Sequence, residues 1–170
     1  MVRRVEVVPH DPEWKKKYDK EASIVRSIFK KEILAIHHFG STAIPRISAK
    51  PIIDILVEVY SIDKIDEYNK KMIERGYIPK GESGIPKRRL FIKGSEDFRI
   101  SHVHIFQKGD PEITRLLKFR DYMIAHPKDA QKYSQLKQRL AREYPANIDG
   151  YIEGKDTFIK SIDKKAKTWK

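Results

Sequence analysis

Pro51-Ile52-Ile53-Asp54-Ile55-Leu56-Val57-Glu58-Val59 is the most apolar stretch of this 170-residue chain. A near-continuous run of Ile, Leu and Val reads as a strand covered on both faces, hence inside its sheet and not at an edge. One residue breaks the pattern. Asp54 stands in an otherwise apolar strand, and burying a carboxylate is costly unless it is paired, hydrogen-bonded or bound to a metal. It either holds a neighbouring loop through backbone N–H groups or serves metal or phosphate chemistry. The residues upstream favour the second reading. His38-Phe39-Gly40-Ser41-Thr42-Ala43-Ile44-Pro45 closes a short strand expected over 34–39 and opens a loop over 40–50. Gly lets a backbone approach closely, and Gly-Ser offers N–H groups and a hydroxyl to phosphate oxygens. Glu58 shares the face of Asp54, but four residues of strand span about 13 Å, too far to share one ion. Its expected place is the strand end, capping a helix that starts near Ser61.

Outward from this pair the elements read clearly. Val2 to Val8 alternates and is expected to be a strand, ended by Pro9. Asp11-Pro12-Glu13 opens a helix whose stripe is Trp14, Tyr18, Ala22, Val25 and Phe29. Ser61 to Arg75 is a second amphipathic helix, closed by Gly76. Residues 78–85 are turn-rich. Arg89 to Lys93 and Phe98 to Phe106 are two strands of a hairpin. Helices follow at Pro111 to Ala125 and Pro127 to Tyr144, then a weaker one at Ile152 to Ala166. The order implies an α+β fold: a mixed β-sheet flanked by helices, with C-terminal helices. We divide it into an α/β core over 1–108 and a helical extension over 109–170, packed on the core as one compact unit.

Composition narrows the function classes. There is no Cys, which excludes thiol nucleophiles, Cys-ligated zinc and iron–sulfur clusters. Charged residues make up 35%, mean hydropathy is −0.63, and no apolar run reaches membrane-spanning length. The N-terminal residues lack a signal-peptide pattern, so a cytoplasmic location is expected. Lys and Arg number 36 against 24 Asp and Glu, a net charge of +12 that attracts polyanions. The excess is divided evenly: residues 1–107 carry 21 basic and 15 acidic side chains, residues 108–170 carry 15 and 9. Spread charge of this kind fits a solvated surface or a small-anion site better than a nucleic-acid face.

Two further clusters carry chemistry. In Ser101-His102-Val103-His104-Ile105-Phe106, His102 and His104 face one way, so they can bind one metal or act as acid and base. A histidine-triad hydrolase would need His where Phe106 stands. His37 and His38 are adjacent and diverge, so at most one joins a site. Lys87-Arg88-Arg89 offers a phosphate clamp or a solvated turn.

Together these residues resemble the GrpB family. The likeness rests on Gly40-Ser41-Thr42-Ala43-Ile44-Pro45 followed by Ala49-Lys50-Pro51-Ile52-Ile53-Asp54-Ile55. It extends to Pro12-Glu13-Trp14, Lys87-Arg88-Arg89, His102-Val103-His104, Phe119-Arg120-Asp121-Tyr122, His126-Pro127, and Tyr151 with Lys155 and Phe158. That family is assigned to the nucleotidyltransferase superfamily and also occurs fused to dephospho-coenzyme A kinase. The resemblance implies a nucleoside triphosphate on the Gly-Ser loop and magnesium on two strand acids at i and i+2. Asp54 matches the second acid; the first falls on Ile52, which binds no metal. A later-strand acid is replaced by His102 or His104. One carboxylate and two imidazoles suit manganese, zinc or iron(II) better than magnesium.

The expectation is a nucleotidyltransferase-like protein handling a nucleotide or another phosphorylated small molecule. Asp54, His102 and His104 are its candidate catalytic and metal-ligating residues, with Mg, Mn or Zn as the divalent ion. Gly40, Ser41, Thr42, Lys50, Arg88 and Arg89 are its candidate phosphate- or nucleotide-binding residues. The rival is a degenerate nucleotide- or coenzyme-binding module without transferase activity, favoured by Ile52. Nucleic-acid binding ranks third, and no membrane partner is expected.

Overall fold

The structure, a computed structural model, describes residues 4–169. Its centre is a five-stranded mixed sheet in the order β1-β2-β5-β4-β3, built from β1 (Ile33–Phe39), β2 (Ile53–Val59), β3 (Tyr77–Pro79), β4 (Arg89–Gly94) and β5 (Arg99–Gln107). β2 runs antiparallel to β1 and parallel to β5, while β4 runs antiparallel to both β5 and β3. The apolar run thus lies inside the sheet, as its composition implies, and β5 is the middle strand.

Strand alternation sends the two halves of β2 to opposite layers. Ile53, Ile55, Val57 and Val59 join Val103, Ile105 and Phe91 on the back face. Helix α1 (Glu13–Phe29) covers that face with Trp14, Val25, Ile28 and Phe29. Leu56 on the front face meets Phe39, Phe106 and Ile113. Here the cover is C-terminal: α3 (Pro111–Ala125), α4 (Pro127–Glu143) and α5 (Ile148–Thr168). The 40–50 loop is clasped by these helices. Ile44 and Ile47 are buried with Tyr122, Met123, Tyr133 and Ile162, and the Ser48 backbone N–H donates to Ser134 Oγ at 2.8 Å.

Four elements differ from the sequence reading. Residues 2 and 3 of the expected N-terminal strand lie outside the described residues. The rest forms only one bridge, Val8 to Ala49, because Val5 is drawn to the helices instead: its N–H donates to the Pro145 carbonyl and its side chain packs on Leu140 and Tyr151. The Ser61 to Arg75 helix is 3-10 over Ile62–Tyr68 and α-helical only over Asn69–Glu74, which is α2. Ile62, Ile65 and Tyr68 recur every third residue, and a three-residue turn aligns them in one row toward the core. The turn-rich stretch contains the edge strand β3, short enough to accept Pro79 at its end. Finally, α5 starts four residues early, with the Asn147 side chain accepting from the Gly150 N–H at 3.0 Å. Its glycines weaken helix propensity but allow close packing: a Cβ on Gly154 would collide with Leu140, and one on Gly150 would lie 2.6 Å from the Tyr144 ring.

Candidate functional site

Register brings the candidate metal ligands together. Asp54 pairs with His102 across the parallel β2–β5 ladder, and Leu56 pairs with His104, so all three polar side chains point to the front face. Asp54 Oδ1 lies 3.4 Å from His104 Nε2 and 3.7 Å from His102 Nδ1. One donor atom from each residue falls within 4.8 Å of the others. Ligands around a tetrahedral ion with bonds near 2.0–2.1 Å stand roughly 3.4 Å apart, so the spacing fits a metal site. Burial pushes the Asp54 carboxyl up, but hydrogen bonding and charge from His104, then His102 and Lys50, outweigh it, and the group lies below its ordinary range.

A second contact qualifies the fit. Arg88 is buried and its Nη1 stands 3.3 Å from His104 Nδ1. A guanidinium only donates, so this Nδ1 accepts and the neutral ring carries its proton on Nε2, toward Asp54. Metal ligation through Nε2 requires the other tautomer, which turns an N–H against Arg88. The donor set therefore fits an ion once Arg88 yields that contact; otherwise the same three residues form a hydrogen-bonded acid–base group.

Gly40 is required where it sits. Its φ is +74°, a left-handed conformation, and a Cβ would strike Asp54 Oδ2. Ser41 follows it into a cavity of about 130 Å³, lined also by Lys50, Ile52, Asp54, His102, Lys137, Tyr151 and Lys155. Lys50 Nζ and Lys155 Nζ lie 5.2 and 4.6 Å from the centre of the Tyr151 ring. Lys137 is 1% exposed, its Nζ stands 4.5 Å from the Tyr133 ring centre, and among the described residues that atom has no hydrogen-bond partner. Burial, then the charges of Lys155 and Lys50, hold its ammonium well below the ordinary lysine range. Burial likewise lowers Lys155, which Asp54 partly offsets. Burial raises the Tyr133 phenol to about 12 against a hydrogen bond with Ser41.

The other expected phosphate binders are elsewhere. Thr42 is buried, with Oγ1 2.8 Å from His38 Nε2. Arg88 donates to the Glu82 and Ser83 carbonyls, which holds the loop before β4. Arg89 pairs with Ile105 and so belongs to the back-face side; it forks onto Asp66 at 2.8 and 3.3 Å. Glu58 does not cap a helix. Its Oε2 stands 2.7 Å from His37 Nε2. A larger open groove of about 470 Å³, on the His38 and Arg120 side of the loop, contains neither Asp54 nor the three lysines.

Lys137 escaped the sequence reading, although a signal exists. Ala130, Tyr133, Ser134, Lys137 and Leu140 are the buried stripe of α4, so Lys137 is a lysine at a core position. In the sequence Lys155 stands out only through its place near Tyr151.

The GrpB protein family model matches residues 4–165. This chain belongs to the GrpB family. It is 46% identical over 168 residues to the UPF0157 protein YqkA of Bacillus subtilis, covering 99% of this chain and 49% of that protein. The chain therefore spans about half the length of that relative. It is 35% identical to the glutamate-rich protein GrpB of Alkalihalophilus pseudofirmus, over 92% of both. Among solved structures, conserved protein GrpB from Enterococcus faecalis superposes with a TM-score of 0.91 at 41% identity, over 95% of this chain and 96% of that one. A faint likeness, TM-score 0.45 at 10% identity over 76% of this chain and 43% of that one, extends to Cid1 in complex with a UTP analogue and carries no functional inference. No helix among the described residues is long and apolar enough to cross a membrane.

Proposed function

We propose that this GrpB-family chain binds a phosphate-containing small molecule, a nucleotide first among candidates, and acts on its phosphoryl group as a nucleotidyltransferase-like enzyme. The observation that carries this reading is one cavity in which Ser41, Lys50 and Lys155 face Asp54 and His102. Half-buried cations crowded into one cavity are unfavourable without an anion, and a hydroxyl with ammonium groups beside a metal-type triad suits phosphate oxygens. The cavity is smaller than the ~300 Å³ at which whole-ligand pockets begin, so it takes a phosphoryl group and a few adjoining atoms and leaves the rest of a nucleotide outside.

Asp54, His102 and His104 would hold a divalent ion, with manganese or zinc suited to the mixed donors. Such an ion supplies Lewis-acid polarisation of a phosphoryl oxygen. Lys50 and Lys155 neutralise the phosphate charge, and Ser41 orients it. Gly40 keeps the loop against Asp54.

Metal-stripped protein is to be screened by thermal shift with nucleotides, with and without magnesium, manganese and zinc, beside Asp54→Asn. Stabilisation needing metal and nucleotide together, and lost in Asp54→Asn, supports the reading. Unchanged turnover in Asp54→Asn would sink it. Ile52 on the cavity wall, where the superfamily pattern places the first acid of the pair, favours one alternative: a nucleotide- or coenzyme-binding module without transfer. Nucleotide stabilisation that survives chelation, with no turnover, would select that reading.

A further inference from the structure

Three lysines line a cavity of about 130 Å³, but they are not equivalent. Lys50 Nζ and Lys155 Nζ stack over the Tyr151 ring, and Lys155 also feels the charge of Asp54. Lys137 is almost wholly buried, its Nζ has no hydrogen-bond partner among the described residues, and it belongs to the inward stripe of α4. A lysine amine becomes a good nucleophile when it is desolvated and placed beside other cations, because both effects favour the neutral amine with its free lone pair. Both conditions hold here: burial, Lys155 and Lys50 all disfavour the Lys137 ammonium. A lysine retained at a core position, where Leu or Met would pack at less cost, is expected to have chemical work to do.

We propose that Lys137 is a nucleophilic amine that forms an imine with the carbonyl group of a small phosphorylated aldehyde or ketone, whose phosphate sits on Ser41, Lys50 and Lys155. The proposal rests on the phosphate reading of this cavity and adds a second chemistry to it. The Nζ lone pair adds to the carbonyl carbon while the C=O π pair moves to oxygen. Nζ sheds one proton and the oxygen gains one, giving a carbinolamine. That oxygen then leaves as water, taking the second nitrogen proton, and a C=N bond remains; no oxidant or reductant takes part. Tyr151 is in place to relay a proton: it lines the same cavity, and its buried hydroxyl has no hydrogen-bond partner among the described residues.

The test is trapping with glycolaldehyde phosphate, a probe small enough for the cavity. Sodium cyanoborohydride reduces imines in place, and peptide mass mapping locates the adduct. The expected result on the wild-type chain is one dominant adduct, on Lys137. Plain glycolaldehyde should label Lys137 about tenfold less efficiently, since it lacks a charge-assisted contact, and inorganic phosphate should compete with glycolaldehyde phosphate. Lys137→Met should remove the adduct. The wild-type map decides the matter even if that variant folds poorly. Adducts scattered over surface lysines, or confined to Lys155, overturn the proposal. Equal labelling of Lys137 by both aldehydes, unaffected by inorganic phosphate, keeps the amine chemistry and overturns the phosphate reading. Protection of the protein by inorganic phosphate without an adduct on Lys137 does the reverse.

Discussion

The back and front faces of one sheet place their buried polar groups differently. On the back face, the buried Glu21 carboxylate and Tyr77 phenol find partners. Glu21 Oε1 accepts from the Tyr77 hydroxyl and from Lys93 Nζ, each at 2.8 Å, and Tyr77 also meets Ser101. His38, stacked on Tyr18, reaches Thr42. On the front face, Lys137 Nζ and Tyr151 Oη are buried with no hydrogen-bond partner among the described residues, beside further lysines and the Asp54 triad. A buried polar group without a partner costs stability, so two such groups that line one cavity mark it as the place for a ligand.

The largest test of this contrast lies in the back-face core. Phe91 is 1% exposed and packs near Phe29, so Phe91→Ala should cost about 3–5 kcal/mol in chemical denaturation. A smaller loss would mean that the back layer is looser than its burial implies.

Next in size is a pH effect at His38. Burial pulls its imidazole down to about 4, from an ordinary 6.5. Below pH 6.5 the unfolded chain takes up a proton that the fold refuses until about 4. His38 therefore contributes stability above 6.5 that is lost as pH falls toward 4, roughly 2 kcal/mol after allowance for its partial exposure. Denaturation midpoints compared at pH 7 and 4.5 should fall less steeply in His38→Asn than in wild type.

Front-face changes should run the other way. Lys137→Met removes a buried amine at similar volume and should raise stability by about 1–2 kcal/mol at pH 7. Loss of stability instead would show that the amine is structurally satisfied. The smallest stability effect is expected for Asp54→Asn, within about 1 kcal/mol, because the partly buried side chain keeps its size and hydrogen-bonding capacity. Zinc or manganese binding, followed by titration calorimetry, should nevertheless be lost. Retained metal affinity would remove Asp54 from the ligand set.

Much of this was legible in the sequence, for reasons that differ by element. The apolar run with Asp54 announced an inner strand with a polar exception, and the i, i+2 spacing of His102 and His104 put them on one face. Pro111 and Pro127 bounded α3, and α4 began where Pro127 allows. What was missed depended on distant partners. Thr42 reads as part of a phosphate loop, yet its hydroxyl turns to His38. Arg88 and Arg89 are neighbours in sequence, but strand alternation sends one to His104 and the other to Asp66. The Val2 to Val8 alternation says strand, but Val5 finds its hydrogen bond on Pro145.

The sequence by itself determined what periodicity and local chemistry can determine: strands with apolar faces, helices with stripes and caps, a glycine where a side chain would not fit, and which residue types can carry metal or phosphate chemistry. Only the tertiary structure decided which of those residues meet. The parallel ladder of β2 on β5 set Asp54 beside the two histidines. Folding α4 and α5 over the front face then brought Lys137 and Lys155 to the cavity that Ser41 lines, from positions some ninety residues or more along the chain. Contacts of that kind depend on sheet register and helix packing, which no local pattern encodes.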